Sequence, residues 1–320
     1  MPYSHHSHSG QFCKHALGTL EEVVQEAIRQ GFEVFGLTEH VPRHRQEDLY
    51  PEELEAEVTP AALVAQFEAF LVEAHRLKAA YAGKINLVVG LETEYISPLD
   101  LDRLDVLLQA DRTNAGRIEF LVGSVHHVNG IPIDFDKPTF EKALNSAGVD
   151  RIEANDRTEA FLCAYFDAQY EILRRFHPEV IGHIDLCRLY TPELRLRDHP
   201  QAWTRLERNV TYAAGYGALF ELNAAAFRKG WSTAYPGREV VEMIQRHGGR
   251  FTISDDSHGP HAVGLNYHRL AQYMHDTGIR KLWYLQGVTS ANGAGRMVAA
   301  VEADSEWSSH PYWQQLKTDG

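Results

Sequence analysis

Histidines and carboxylates recur in this sequence at spacings that suit metal binding. The opening segment MPYSHHSHSG carries His5, His6 and His8. Side chains alternate along an extended chain, so the imidazoles of His6 and His8 face the same side. An expression tag would be an unbroken run of histidines, which this segment is not. Two imidazoles at one strand end predict a pair of metal ligands.

Further residues of the metal-ligand type follow short apolar runs that have the length of strands. They are Glu39, His40, Glu92, His126, His127, His183, Asp185, Asp255, Asp256 and His258. Each alone has an ordinary structural explanation, such as a hydrogen-bonded histidine or a helix-capping aspartate. Together they would form a buried cluster of acids and imidazoles, which is costly to desolvate without a metal. The set therefore predicts a metal centre.

The elements that must position these residues alternate between strands and helices. The apolar runs EVFGLT, INLVVGL, IEFLVGSV, PEVIGH, ALFELN and RFTIS are typical of parallel strands buried on both faces. With the opening segment they make seven strand candidates, and KLWYLQ is an eighth whose place in the sheet the pattern does not decide. Helical patterns lie between them, such as TLEEVVQEAIRQG, in which Thr19 and Glu22 predict a capped start and Gly31 a stop.

This alternation predicts an α/β barrel. The C-terminal ends of the strands of a closed parallel barrel converge on one face, where such enzymes place their chemistry. The ligand-type residues follow the strand candidates, so we expect the metal site at those ends. No linker, repeat or low-complexity stretch divides the sequence, and we expect a single domain over residues 1–320.

Composition excludes several classes of protein. No apolar run approaches the roughly 20 residues of a membrane span, and no basic segment followed by an apolar core opens the chain. We therefore expect no membrane partner and a cytoplasmic location. The three cysteines lack a paired spacing, so we expect reduced thiols. The net charge of −13 and the absence of a basic run argue against nucleic acid as the main partner. The sequence does not predict the oligomeric state.

The donor set favours transition metals. Imidazoles with a minority of carboxylates suit Zn, Fe or Mn better than Mg or Ca. The candidates outnumber the ligands of one ion, so we expect two or three divalent ions with Glu92 as the natural bridging carboxylate. No nucleophile elbow, Walker loop or H-E-x-x-H motif occurs. The residues therefore predict metal-assisted hydrolysis.

Six segments in order resemble the metal motifs of the polymerase and histidinol phosphatase superfamily. They are SHHSHSGQFCKHA, LTEHVPR, GLETEY, GSVHH, GHIDL and SDDSH. With ELNAAAFRKG and YPGREVV, the chain is similar to the histidinol-phosphate phosphatase branch of that superfamily. The resemblance spans residues 3 to about 265. It implies a distorted (β/α)7 barrel, similar to a TIM barrel, with a trinuclear metal centre.

The resemblance also implies roles for individual residues. The implied metal ligands are His6, His8, His15, His40, Glu92, His126, His183, Asp256 and His258, with His5, His127 and Asp255 as open alternatives to their neighbours. Glu92, Asp256 and His258 are the expected catalytic residues. Arg228, Lys229 and Arg43 are expected to bind the substrate. The family often has Asp where this chain has Glu39 and Ser4.

The activity implied is that of a histidinol-phosphatase, a phosphoric monoester hydrolase. It would hydrolyse a small phosphorylated substrate, L-histidinol phosphate, to L-histidinol and inorganic phosphate in histidine biosynthesis. The alternative is another phosphoesterase or a nuclease of the same superfamily that acts on a phosphodiester. A non-enzymatic metal-binding protein fits less well, because a structural zinc site is closed by four ligands and needs far fewer candidates.

Overall fold

The computed structural model of the chain describes residues 2–114, 116–147, 154–303 and 306–315. The strands are β1 (Tyr3–Ser4), β2 (Ser7–His8), β3 (Val34–His40), β4 (Asn86–Glu92), β5 (Phe120–Gly123), β6 (His127–Val128), β7 (Ile131–Pro132), β8 (Val180–Ile181), β9 (Leu219–Asn223), β10 (Arg250–Ser254), β11 (Ser257–His258), β12 (Trp283–Gly287) and β13 (Val298–Glu302). The helices are α1 (Leu20–Arg29), α2 (Pro51–Glu55), α3 (Pro60–Ala80), α4 (Pro98–Asn114), α5 (Lys137–Ser146), α6 (Ala154–Phe176), α7 (Pro200–Tyr216), α8 (Ala225–Arg228), α9 (Arg238–Arg246), α10 (Tyr267–Asp276) and α11 (Pro311–Gln315).

Parallel strands form a nearly closed barrel. Within the described residues, the seven-stranded sheet has the order β1-β3-β4-β5-β8-β9-β10, and each neighbouring pair is parallel. Just beyond β1 and β10 the chain pairs again, because β2 and β11 are parallel and bring His8 opposite His258. The predicted seven-strand barrel is thereby confirmed.

Helix α1 illustrates how local sequence sets an element. The Thr19 side chain accepts a hydrogen bond from the Glu22 amide, and the Glu22 carboxylate accepts one from the Thr19 amide. This capping box satisfies two amides that have no partner within the helix. The buried face of α1 includes Leu20, Val23 and Val24, which pack into the core. The helix predicted from this stretch is confirmed.

The core consists of apolar side chains on both faces of the barrel strands. Phe35, Leu37, Phe120 and Phe220 are fully buried. Each such burial stabilises the fold by about 1.5 to 3 kcal/mol. No helix of the described segments has both the length and the apolar character needed to cross a bilayer.

The undecided segment KLWYLQ lies outside the barrel sheet. Its residues contribute to β12, which pairs antiparallel with β13 to form a hairpin. The hairpin packs against the barrel, and the Leu285 amide donates a hydrogen bond of 2.9 Å to Nε2 of His5. The hairpin is therefore attached to the segment that carries the first candidate ligands.

Candidate metal centre

The opening segment brings two histidines into the barrel. His6 and His8 are buried, and their ring centroids lie 5.2 Å apart. The backbone of this segment lies directly against β3, because a Cβ atom on Gly36 would come within 2.9 Å of the His5 Cα atom. Only glycine permits this approach without displacing the histidine segment.

Glu92, the last residue of β4, is the centre of the cluster. Its Oε1 atom lies 3.2 Å from Nε2 of His6 and 3.1 Å from Nε2 of both His126 and His183. Its Oε2 atom lies 2.9 Å from Nδ1 of His40 and 3.4 Å from Nε2 of His8. Both oxygens of one carboxylate thus face imidazole nitrogens, so Glu92 would share any bound cations with these histidines.

Asp256 extends the cluster from the other side of the barrel. Its Oδ1 atom lies 3.7 Å from Nε2 of His6, 3.6 Å from Nε2 of His8 and 3.6 Å from Nδ1 of His258. Its backbone φ is +47°, a left-handed conformation that costs a residue with a side chain free energy. Asp256 therefore adopts a strained position that brings its carboxylate to these histidines.

Asp255, the open alternative to Asp256, faces away from the cluster. Its carboxylate accepts hydrogen bonds from the Ser4 hydroxyl at 2.9 Å, the Ser257 amide at 3.1 Å and the Gly264 amide at 2.7 Å. Ser4 thus orients the neighbour of a candidate ligand. The geometry favours Asp256 as the ligand.

Contacts also distinguish the members of the two histidine pairs, His5 and His6, and His126 and His127. His5 uses both ring nitrogens elsewhere, on Thr252 Oγ1 at 3.0 Å and on the Leu285 amide. The Nδ1 atom of His127 lies 3.2 Å from Oε1 of Glu94, whereas Nε2 of His126 lies 3.1 Å from Oε1 of Glu92. His6 and His126 are the members of each pair that reach Glu92.

His15 lies at the rim of the cluster. Its Nδ1 atom lies 2.9 Å from Oε1 of Glu52, and its Nε2 atom lies 3.2 Å from Sγ of Cys13. The His15 ring centroid lies 5.5 Å from that of His40 and 5.1 Å from that of His258. The side chain is 35% exposed, which makes His15 the most accessible of the candidate ligands.

The donor atoms fit metal ions. Four groups of three have donor atoms within 4.8 Å of one another: His8, His40 and His258; Cys13, His15 and His40; His6, Glu92 and His183; and His6, His8 and Asp256. Nε2 atoms of His6, His8 and His40 are buried without a hydrogen-bond partner among the described residues. Unpartnered buried nitrogens are costly, and coordination would satisfy them.

The cluster also keeps its carboxylates ionised. Burial alone would raise the pKa of Glu92, but the surrounding imidazoles, His6 and His126 first, hold it well below its usual range. Burial acts in the same sense on Asp256, and His6 and His258 hold its pKa well below the usual range. Both groups are therefore anionic and able to bind a cation at neutral pH.

Further carboxylates hold the outer nitrogens of the histidines. Oε1 of Glu221 lies 2.9 Å from Nδ1 of His6, and Oε2 of Glu94 lies 2.9 Å from Nδ1 of His126. Glu39 accepts hydrogen bonds from the amide and hydroxyl of Ser9. Its other oxygen lies 3.6 Å from Nδ1 of His8, beyond hydrogen-bond distance. The hydrogen bonds of Glu221 and Glu94 fix the tautomers of His6 and His126 and direct the opposite nitrogens inward.

Sequence reasoning missed Glu94 and Glu221. Glu94 could have been found from its position two residues after Glu92 in the segment GLETEY. Glu221 could have been found because it is an acidic residue inside the apolar run ALFELN, and a buried acid needs a partner.

A cavity of about 560 Å³ opens over the cluster. Its walls include Arg228 and Lys229, two of the three residues predicted to bind the substrate. Arg228 donates a hydrogen bond of 2.8 Å to the Asp256 backbone oxygen. Arg43 does not line this cavity. Arg43 is buried and forms an ion pair with Glu53, and its guanidinium lies 4.1 Å from the Tyr50 ring centre. The ion pair compensates for burial, because a buried arginine without a partner is costly.

Comparison with known proteins identifies the family. The family model of the PHP domain matches residues 4–225. This chain belongs to the PHP-domain family. The match covers the candidate ligands from His6 to His183, and Asp256 and His258 lie beyond it.

Relatives extend the likeness over nearly the whole chain. A Schizosaccharomyces pombe protein named "Probable histidinol-phosphatase" is 45% identical and covers 96% of each chain. The histidinol-phosphatase of Saccharomyces cerevisiae is 30% identical over 98% of this chain and 100% of its own. These lengths include β10, β11 and the hairpin that follows the PHP domain.

A solved structure shares the fold. The histidinol phosphate phosphatase of Lactococcus lactis, crystallised with zinc, L-histidinol and phosphate, aligns with a TM-score of 0.61 at 17% identity. The alignment covers 88% of this chain and 95% of that one. The barrel is therefore the same fold as that of a metal-containing phosphatase.

Proposed function

We propose that the chain is a metal-dependent histidinol-phosphatase that hydrolyses L-histidinol phosphate to L-histidinol and inorganic phosphate, a step of histidine biosynthesis. The observation that carries metal-assisted hydrolysis is the Glu92 carboxylate, whose two oxygens face five imidazoles below an open cavity. The two yeast relatives, similar over nearly their full lengths, support the substrate.

We infer a multinuclear centre of two or three divalent transition metal ions. The proposed ligands are His6, His8, His15, His40, Glu92, His126, His183, Asp256 and His258. Such ions, when bound, activate water near neutral pH and neutralise the charge of a phosphoryl group. Imidazole-rich donors favour Zn, Fe or Mn, and zinc is present in the Lactococcus lactis relative.

The chain's own residues would orient the substrate. Arg228 borders the cavity, and its hydrogen bond to the Asp256 backbone fixes the guanidinium next to a proposed ligand. Its planar donors match two phosphoryl oxygens, and the nearby Lys229 adds a second positive charge. The buried Glu92 carboxylate, the half-buried Asp256 carboxylate and His258 line the reacting end of the cavity. The proposed domain spans residues 1–320.

Phosphate release from a small panel of esters tests the proposal. The panel contains L-histidinol phosphate, 4-nitrophenyl phosphate as a generic monoester and bis(4-nitrophenyl) phosphate as a diester. We expect the highest kcat/KM for L-histidinol phosphate, loss of all activity with a chelator, and recovery when Zn, Fe or Mn is returned. Faster turnover of the diester would contradict the proposal and favour the phosphodiesterase alternative.

A further inference from the structure

Asp134 is an acidic residue on the cavity wall whose carboxylate has no partner. It follows β7 and precedes α5, and its backbone oxygen accepts a hydrogen bond of 3.4 Å from the Tyr190 hydroxyl. No described residue donates to its side chain or forms an ion pair with it. The residue is half-buried, so its position is set by the fold while the carboxylate stays open to the cavity.

The other acids of the same wall are already engaged. Glu52 pairs with His15, and Glu92 and Asp256 face the histidine cluster. A carboxylate that is neither paired nor part of the metal centre has its full charge available for a ligand. Asp134 is the acid of the described cavity wall that meets this condition.

A second unpartnered group borders the same cavity. The Tyr235 hydroxyl is buried without a hydrogen-bond partner, and the residue is only 2% exposed. Two backbone hydrogen bonds to Asn223, of 2.7 and 3.1 Å, hold Tyr235 beside the end of β9, and its ring centroid lies 6.4 Å from that of His183. A buried phenol without a partner indicates a place built for a polar ligand.

The cavity is therefore polarised. Arg228, Lys229 and the proposed metal centre suit the anionic end of a substrate, whereas Asp134 suits a cationic group. Phe135, beside it, is 47% exposed and offers an apolar wall. L-histidinol phosphate has matching chemistry, because the carbon next to its phosphate-bearing CH₂ carries an ammonium group, and an imidazole lies one carbon further.

We propose that the Asp134 carboxylate binds the ammonium group of the substrate and is a specificity-determining residue. This proposal rests on the proposed histidinol-phosphatase function. With the phosphate at the metal centre, the ion pair would fix which way the rest of the molecule lies in the cavity. Charge-assisted hydrogen bonds are about twice as strong as neutral ones, so the contact selects against phosphate esters that lack the amine.

The test compares two substrates and three main proteins, with Asp134→Ala as a further variant. The substrates are L-histidinol phosphate and 3-(imidazol-4-yl)propyl phosphate, which differ by the amine. The proteins are the wild type, Asp134→Asn and Asp136→Asn. Asp136 is the matched control, because it lies in the same loop but accepts a hydrogen bond from the Thr139 amide as the cap of α5, a role that asparagine also performs. Steady-state phosphate release gives kcat and KM at matched metal content.

We expect the wild type and Asp136→Asn to prefer the amine-bearing substrate by about 10- to 100-fold in kcat/KM, the scale of one hydrogen bond to a charged group. Asp134→Asn should lose most of this preference, chiefly through a higher KM for L-histidinol phosphate. Asp134→Ala should give the same result, which provides a second variant if one is unstable.

Several outcomes would overturn the assignment. One is a wild type that does not prefer the amine-bearing substrate, and another is a preference that survives in both Asp134 variants. A third is a fall in kcat/KM in the Asp134 variants that is equal for both substrates. The fourth is a loss of preference in Asp136→Asn as large as in Asp134→Asn. The proposed function fails separately, if the wild type releases no phosphate from L-histidinol phosphate at all.

Discussion

At the scale of single residues, the cluster has an inner and an outer layer. Glu92 and Asp256 face inward nitrogens of the histidines, whereas Glu221 and Glu94 hold the outward nitrogens of His6 and His126. With Nδ1 of His6 donating to Glu221, its Nε2 atom carries the lone pair that a metal needs. The orientation of His6 and of His126 thus depends on a carboxylate that holds the outward nitrogen.

Glu92→Gln tests the bridging role. Glutamine keeps the shape but removes the negative charge, so we expect loss of at least one metal ion and a fall in kcat of about 100-fold or more, beyond the range for outer partners of a metal site. Metal analysis and phosphate release measure both, and circular dichroism checks the fold. Glu68→Gln, on the exposed face of α3, is the control. Wild-type turnover at full metal occupancy would exclude a bridge.

Arg228 provides the second prediction for single residues. Neither Arg228→Lys nor Arg228→Ala can supply two parallel donors, so both should lose about 2 to 4 kcal/mol in kcat/KM, the scale of one preorganised charge-stabilising donor. Metal content should not change. A fall in kcat would mean that the contact strengthens in the transition state, and a rise in KM alone that it does not. Arg246→Ala, on α9, is the control, and constants within about twofold of wild type would place Arg228 outside the site.

The sequence predicted the inner layer better than the outer one. His40, Glu92 and His183 end or follow apolar runs, and parallel strands place such ends on one face. Glu221 is one residue within β9, where a pattern of apolar residues does not reveal which acid has a histidine partner. Arg43 was predicted to bind the substrate, but the structure places it in an ion pair with Glu53 in α2, a contact that spacing does not reveal.

At the scale of elements, His5 connects the opening segment to β12. The Leu285 amide donates to Nε2, so Nδ1 must carry the proton and donate to Thr252 Oγ1. A second proton would destroy the Leu285 contact in a buried site. Burial accordingly lowers the pKa of His5 to about 3, from 6.5. The hairpin is therefore attached through an imidazole that has to stay neutral.

This contact predicts a pH dependence of stability. The unfolded chain takes up a proton on His5 below about pH 6.5 and the folded chain does not, so the stabilisation is complete above that pH and is lost as pH falls toward 3. The slope is about 1.4 kcal/mol per pH unit for one such group. His5→Gln, which keeps an acceptor for Leu285 but cannot titrate, should show a correspondingly smaller loss of unfolding free energy between pH 6.5 and 5.

Denaturant unfolding at several pH values measures this difference, at equal metal content. His275→Gln is the control, because the His275 side chain, on α10, is 79% exposed. Parallel pH profiles for His5→Gln and the wild type would contradict the burial of a neutral His5.

At the scale of the whole molecule, the proposed ligands come from all around the barrel. They run from His6, just after β1, through Glu92 at the end of β4 to His258 in β11. The β2 to β11 pairing, which adjoins the first and last strands of the sheet, is also where His8 and His258 approach, with ring centroids 4.5 Å apart. Metal binding and the final closure of the barrel therefore involve the same residues.

Removal of metal should accordingly affect both activity and stability. We expect at least two equivalents of transition metal per chain in active protein, because the proposed ligands exceed one coordination sphere. Chelation should abolish phosphate release and lower Tm, since ions that bind only the folded chain at 1,000 times their Kd stabilise it by about 4 kcal/mol. Elemental analysis and calorimetry before and after chelation measure this, and returned metal should restore both properties. A fully active preparation with one ion or none would contradict the multinuclear centre. An unchanged Tm after complete removal would separate metal binding from the closure of the barrel.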